Sequence, residues 1–188
     1  MRAAGVRERV APTTSPATIS SSELPTLQGE HLLLRPAQAD DVHALTDILV
    51  EPDVARWWGH NDLDTVRDEL RDQPSFAIVI DGAVAGWLHV HEETEPDYPS
   101  VAFDIVLAPA LHGRGLGQEA LRLAIRHFIE RGHHRFSIDP SQANERAIRS
   151  YASVGFKPVG VLRAYERAPD GTWRDGLLMD LLADEFNG

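Results

Sequence analysis

Gly113, Gly115 and Gly117 stand two apart in LHGRGLGQEA, Leu111 to Ala120, and a helical pattern starts directly behind them. Glycine lets backbone N–H groups approach an anion with no Cβ in the way, and a helix start adds free N–H groups and positive dipole at the same spot. Arg114 adds a mobile positive charge. The spacing suits a pyrophosphate, although a plain strand–loop–helix turn would also use glycines. A Walker loop needs Gly-Lys-Ser/Thr, whereas Gln118 and Glu119 follow Gly117. A dinucleotide fingerprint needs glycine at the sixth position from Gly113, which is Gln118. Neither a nucleoside triphosphate nor a nicotinamide cofactor is expected here.

Asp104 is the one charge in the apolar run VAFDIVL, Val101 to Leu107. At a period of two, Val101, Phe103, Ile105 and Leu107 share one face, and Ala102, Asp104 and Val106 the other. An acid so placed is costly unless it is partnered or put to use. Trp57 and Trp58 sit together in VARWWGH, where they either pack a helix end or present a flat ring to a ligand. Downstream, DPSQANERAIRSYASVGF carries Asp139, Asn144 and Tyr151. Asn144 reads locally as a first-turn cap. Tyr151 shares helical spacing with Ile148 and Val154, which is also a core pattern.

The elements that hold these residues alternate in period. HLLLRP, His31 to Pro36, reads as a strand, and Ala39 to Val50 as a helix closed by Pro52. A polar helix runs from about Asp62 to Arg71. FAIVI and AVAGWLHV flank Asp81-Gly82 and predict a tight hairpin. VAFDIVL is the next strand, followed by the glycine loop and a helix from about Leu116 to Arg131. Its stripe Ala120, Leu121, Ala124, Ile125 and Phe128 faces a core. HRFSID, a helix from Ser141 or Gln142 to about Val154, FKPVGVL and WRDGLLMDLL complete the order. The expectation is a mixed α/β domain over residues 29–188, with a largely antiparallel twisted sheet of six to seven strands and four helices. Residues 1–28, rich in Ala, Ser, Thr and Pro, read as a flexible tail.

The chain has 188 residues, no cysteine and a formal charge of −11. Disulfides, thiolate metal sites and a cysteine nucleophile are excluded. The charge disfavours nucleic acid and anionic membranes and favours cationic partners. The run Glu92 to Asp104 has five acids and no Lys or Arg. No apolar stretch is long enough to span a bilayer, and the expected location is the cytoplasm.

The two segments His112-Gly-Arg-Gly-Leu-Gly and Asn144, Ala147, Tyr151, Gly155-Phe156 together resemble the GNAT acetyltransferase superfamily, with His112 standing where Gln or Arg is usual. The resemblance covers roughly Leu32 to Leu182. It implies the GNAT fold, acetyl-CoA as co-substrate and no metal. It further implies that His112, Gly113, Arg114, Gly115, Leu116 and Gly117 receive the pyrophosphate, and that a backbone amide near Val106 or Leu107 meets the oxyanion. Asn144 would bind the pantetheine arm or a water, and Tyr151 would protonate the leaving thiolate. Asp104 would then be the base that takes the amine proton. A finer resemblance is to aminoglycoside 6'-N-acetyltransferases, carried by VARWWGH, FDIVLA, the DPSQAN segment and PDGTWRDGLLM. It implies an acidic cleft for a small polycationic amine, formed by Asp104, Asp139, Asp175 (preferred to Asp170) and the acids of Glu92 to Asp97. Trp57 or Trp58 would stack on a sugar ring. Transfer would be direct, in a ternary complex, by a monomer or homodimer. The alternatives are acylation of a siderophore hydroxylysine or a protein amine, and a non-catalytic acetyl-CoA-binding module.

Overall fold

Asp81 and Gly82 carry φ of 51° and 79°. Positive φ at both central residues matches the right-handed twist of flanking strands. β3 (Ser75–Ile80) therefore folds straight back onto β4 (Ala83–Glu93). The computed structural model describes residues 23–59 and 61–188; the segment 1–22, expected as tail, and His60 lie outside the described residues. The remaining strands are β1 (Leu27–Gln28), β2 (Leu33–Pro36), β5 (Ser100–Leu107), β6 (Arg135–Ile138), β7 (Lys157–Arg167) and β8 (Trp173–Leu182). The helices are α1 (Val42–Leu49), α2 (Pro52–Trp58), α3 (Leu63–Asp72), α4 (Leu116–Glu130) and α5 (Glu145–Val154). One sheet of eight strands runs β1-β2-β3-β4-β5-β6-β8-β7, antiparallel throughout except for the β5–β6 pair.

Each sheet face has its own core. On one, Val101, Phe103 and Leu107 of β5 meet Ala120, Leu121, Ala124, Ile125 and Phe128 of α4. On the other, Trp87 and Val106 meet α1, Val54 of α2 and Val66 and Leu70 of α3. The alternation read in VAFDIVL is thus the partition of β5 between two cores. Among the described residues no helix is long and apolar enough to cross a membrane.

Two expected counts are corrected. Among the described residues the sheet has eight strands, not six to seven, because Leu27 and Gln28 pair with Leu34 and Leu33. Leu24 is also buried, so the end of the segment assigned to the tail is part of the fold. Among the described residues there are five helices, not four. Pro52 does not merely close α1; it is the first residue of α2, where its missing N–H is no loss.

The feature that positions the site is a parting of two strands. β5 pairs with β6 only at Ser100 to Ala102 against Arg135 to Ser137, yet it stays paired with β4 as far as Leu107. Past Ala102, β5 and β6 diverge and a wedge opens between them.

Candidate active site

The wedge widens into a cleft of about 610 Å³, whose walls include Asp104 to Leu107 on β5, Ile138 at the end of β6 and Asp139 just after it, the glycine loop, α2 and the start of α5. Its β5 wall is backbone. The amide of Ala108 donates to the carbonyl of Ala85 at 2.9 Å. Alternation then turns the amides of Leu107 and Ile105 away from β4, into the wedge, and that of Val106 towards Trp87. Of the two alternatives for the oxyanion amide, that of Leu107 faces the cleft and that of Val106 faces β4.

Gly113 and Gly115 adopt φ of 77° and 80°, a left-handed conformation that ordinary residues resist. Gly115 is the N-cap of α4, and the first helical bond comes from Glu119 to its carbonyl. The amides from Gly113 to Gln118 have no acceptor among the described residues. They form a concave row of donors at a helix start, the geometry that binds a phosphate or diphosphate. Gly117 lies close over β5, where an added Cβ would stand 3.4 Å from Leu107 Cδ1. Leu116 and Gly117 line the cleft, whereas Arg114 projects from the exposed loop outside its walls.

His112 has a defined task. Its Nε2 lies 2.9 Å from the Leu107 carbonyl and its Nδ1 2.8 Å from Arg146 Nη1. A carbonyl only accepts and a guanidinium only donates, so the ring is neutral with its proton on Nε2. Burial, and then the charge of Arg146, hold it below the usual histidine range. His112 ties the end of β5 to α5 and aims Arg146 along the cleft wall, beside Arg149.

Asn144 is the N-cap of α5, its Oδ1 accepting the Ala147 amide at 3.2 Å. Only its NH₂ group then remains for a ligand. Tyr151 lines the cleft with its ring edge-on to Phe156, centroids 6.4 Å apart. Burial, and then the negative charges of Asp104 and Asp139, push its phenol above the usual tyrosine range. It stays protonated at any physiological pH.

The acceptor wall carries acids and aromatics. Asp104 is half-exposed and meets His91, Nε2 to Oδ2, at 3.0 Å. Asp139 accepts the Tyr165 hydroxyl, and its carboxyl is raised chiefly by burial. Trp57 and Trp58 both line the cleft, but differ. The Trp57 ring is covered by Arg56 at 4.6 Å and Arg174 at 5.7 Å, cation–π contacts that tie α2 to β8. Arg174 also donates to the Arg56 carbonyl at 2.7 Å. Trp58 instead tilts against His89, 5.7 Å away.

Asp175, its alternative Asp170 and the acids of Glu92 to Asp97 lie outside the cleft. Asp175 accepts the Ala164 amide at 2.8 Å, which anchors the irregular stretch of β7 between Leu162 and Glu166. Asp170 caps its own turn through Thr172. Glu92 is buried under α4, between His133 at 2.6 Å and Arg131 at 3.0 Å, and none of Glu92 to Asp97 lines the cleft. Their places are taken by Asp53 of α2 and Glu166 of β7. Glu69 of α3 lies within reach of the Asp104 charge; burial, and then that charge, raise its carboxyl. His89 and His91 were also missed, although period two in WLHVH sets Trp87, His89 and His91 on one face. Glu166 had no readable signal, because the bulge in β7 breaks the alternation.

A family model for the acetyltransferase (GNAT) domain matches residues 31–157. Spermidine N(1)-acetyltransferase of Escherichia coli (strain K12) is 25% identical over 169 residues, covering 81% of this chain and 87% of the relative. Among solved structures, Mycobacterium smegmatis RimJ in complex with CoA-disulfide superposes with a TM-score of 0.74 at 24% identity, over 87% of this chain and 88% of that one. Spermidine N-acetyltransferase from Vibrio cholerae, in complex with CoA and spermine, gives 0.72 at 18% identity, over 84% and 99%. At these identities the two structures share the fold.

Proposed function

The chain belongs to the GNAT acetyltransferase family, and on that premise we propose that it transfers the acetyl group of acetyl-CoA to a primary amine of a small polycation, directly and in a ternary complex. The observation that carries this reading is the two-sided wedge: unpaired amides along β5 and the glycine loop on the donor side, and carboxylates with aromatic rings on the acceptor side.

Each residue then has a role. The amides from Gly113 to Gln118 hold the diphosphate, with Arg146 and Arg149 nearby as counter-charges. The Ile105 and Leu107 amides pair with the extended pantetheine arm, and that of Leu107 faces the thioester oxygen as negative charge develops there. Asp104 receives the amine and takes part in removing its proton. Tyr151 donates to the departing sulfur.

Asp104, Asp139 and Glu166 line the cleft away from the arginines of α5, an arrangement suited to several positive charges rather than one. Within that class we place aminoglycosides first. The indole of Trp58 and the breadth of the cleft suit a hydroxylated ring, as do VARWWGH and FDIVLA in the sequence. A linear polyamine is the second reading, favoured by the match to a spermidine acetyltransferase. Thiol release from acetyl-CoA should accelerate on addition of kanamycin or tobramycin. Spermidine, spermine and an N-terminal alanyl peptide form the other arms. No acceleration with any polycation would remove the proposal; a response to the peptide alone would move it to protein amines.

A further inference from the structure

The roles above leave one contact of Asp104 unused. His91 Nε2 stands 3.0 Å from its Oδ2. The register sets His89, not His91, directly opposite Asp104, so this bond crosses the strand pair diagonally on the acceptor face. His91 keeps 43% of its side chain exposed and reaches bulk water. His89 lies beneath it, buried against Trp87 at 4.0 Å and stacked on His91 at 6.4 Å. Burial pushes His89 down to about 4, so it stays neutral and its Nε2 has no partner among the described residues. The charged groups facing His91 are Asp104 from β5 and Asp139 from the end of β6. Glu69 of α3 faces Asp104, and Tyr165 of β7 holds Asp139.

We propose that His91 is the terminal proton acceptor of the acetyl transfer, and that Asp104 is the carboxylate that holds the amine and hands its proton on. This rests on the amine-acetylating reading. The acceptor arrives as an ammonium. Its first proton passes to the Asp104 carboxylate and on to Nε2 of the Nδ1–H tautomer of His91. The imidazolium releases a proton to water from its exposed edge. The freed amine attacks the thioester carbon; the C–N bond forms, the C–S bond breaks, and the second proton from nitrogen balances the one Tyr151 gives to sulfur. Ammonium and thioester become amide, thiol and one proton in solvent.

An isolated carboxylate is too weak a base for an ammonium, whereas an imidazole is matched to neutral pH. The hydrogen bond to Asp104 raises His91 above its ordinary value of 6.5, against burial and with help from the charges of Asp104 and Asp139. His91 must be neutral to accept. Activity should therefore fall as pH drops through a value above 6.5.

The test combines pH–rate profiles with a histidine NMR titration of the full chain. Two amines of different basicity are used, because a limb owned by the substrate moves with the substrate. His91→Gln keeps a donor for Asp104 but cannot titrate. It should lower kcat/KM at pH 8 by about 10²-fold or more, abolish the substrate-independent acid limb and leave KM for acetyl-CoA unchanged. In the NMR titration, Asp104→Asn should lower the His91 midpoint. A His91→Gln enzyme that keeps the limb and works within twofold of wild type would overturn the proposal, as would a His91 midpoint indifferent to Asp104→Asn. Should the wild type acetylate no amine, the proposal falls with the reading it rests on; a coupled NMR titration would then show that the dyad exists and only the chemistry was misassigned.

Discussion

Replacing Tyr151 with Phe removes one oxygen and leaves the ring in place against Phe156. The hydroxyl has no hydrogen-bond partner among the described residues, so its removal strands no other group. Stability should change by less than about 1 kcal/mol, a Tm shift of no more than about 4 °C for a chain of this size. The chemistry should respond far more. Burial and the charges of Asp104 and Asp139 make a tyrosinate costly at this spot. The same surroundings make a bare thiolate costly, which raises the affinity of the departing sulfur for a proton. Loss of a positioned acid typically costs 10²- to 10⁴-fold, or about 2.7 to 5.4 kcal/mol in the barrier. The assay is steady-state thiol release, read as kcat and KM for both substrates alongside a thermal melt. The loss should lie in kcat, with KM for acetyl-CoA nearly unchanged. An acetyl thioester of a more acidic thiol, which leaves without protonation, should recover most of the lost rate. A Tyr151→Phe enzyme within threefold of wild type at unchanged Tm would refute the assignment. So would an equal loss with both donors.

Two further perturbations probe the scaffold. His112→Ala removes the hold on the Leu107 carbonyl and frees Arg146. KM for acetyl-CoA should rise roughly tenfold, equivalent to about 1.4 kcal/mol, with KM for the amine little altered; a change confined to the amine would contradict the role given to His112. Ala164 holds φ of 49°, which costs an L-residue roughly 1 kcal/mol. Ala164→Gly relieves that cost but loosens the unfolded chain, for a net gain of about 0.5 kcal/mol and a Tm higher by roughly 1 to 2 °C. A lower Tm would mean that the Asp175 bond to the Ala164 amide does not set this conformation.

The donor half of the site was legible in the sequence because its signals are local. Glycines that need positive φ, a helix start and a lone acid in an apolar strand are all read within a dozen residues. α4 begins at Leu116 and buries the stripe from Ala120 to Phe128 as its spacing predicts. The acceptor half was less legible because it is assembled from four separate elements. Asp175 and Glu166 lie on paired strands whose register shifts at a bulge, and nothing in either segment says which carboxylate turns inward. Glu92 sits in a run that reads as a solvated loop, yet its partners His133 and Arg131 come from just past the end of α4, about forty residues on. His91 and Asp104 become neighbours only when β4 and β5 are laid in register. α2 was missed for a different reason: Pro52 stops one helix and starts the next, and a proline carries the same letter in both uses.

The parting of β5 from β6 has a further consequence for how such a chain can change. The donor side is read by peptide N–H groups, which every residue except proline supplies, so drift in the side chains of β5 leaves that grip intact. The acceptor side is read by carboxylates and rings on α2, β5, β6 and β7, each of which a single codon can replace. One half of the wedge is thus inherited with the backbone, and the other is rewritten residue by residue. A chain built this way can exchange one amine for another while its use of the acetyl donor persists.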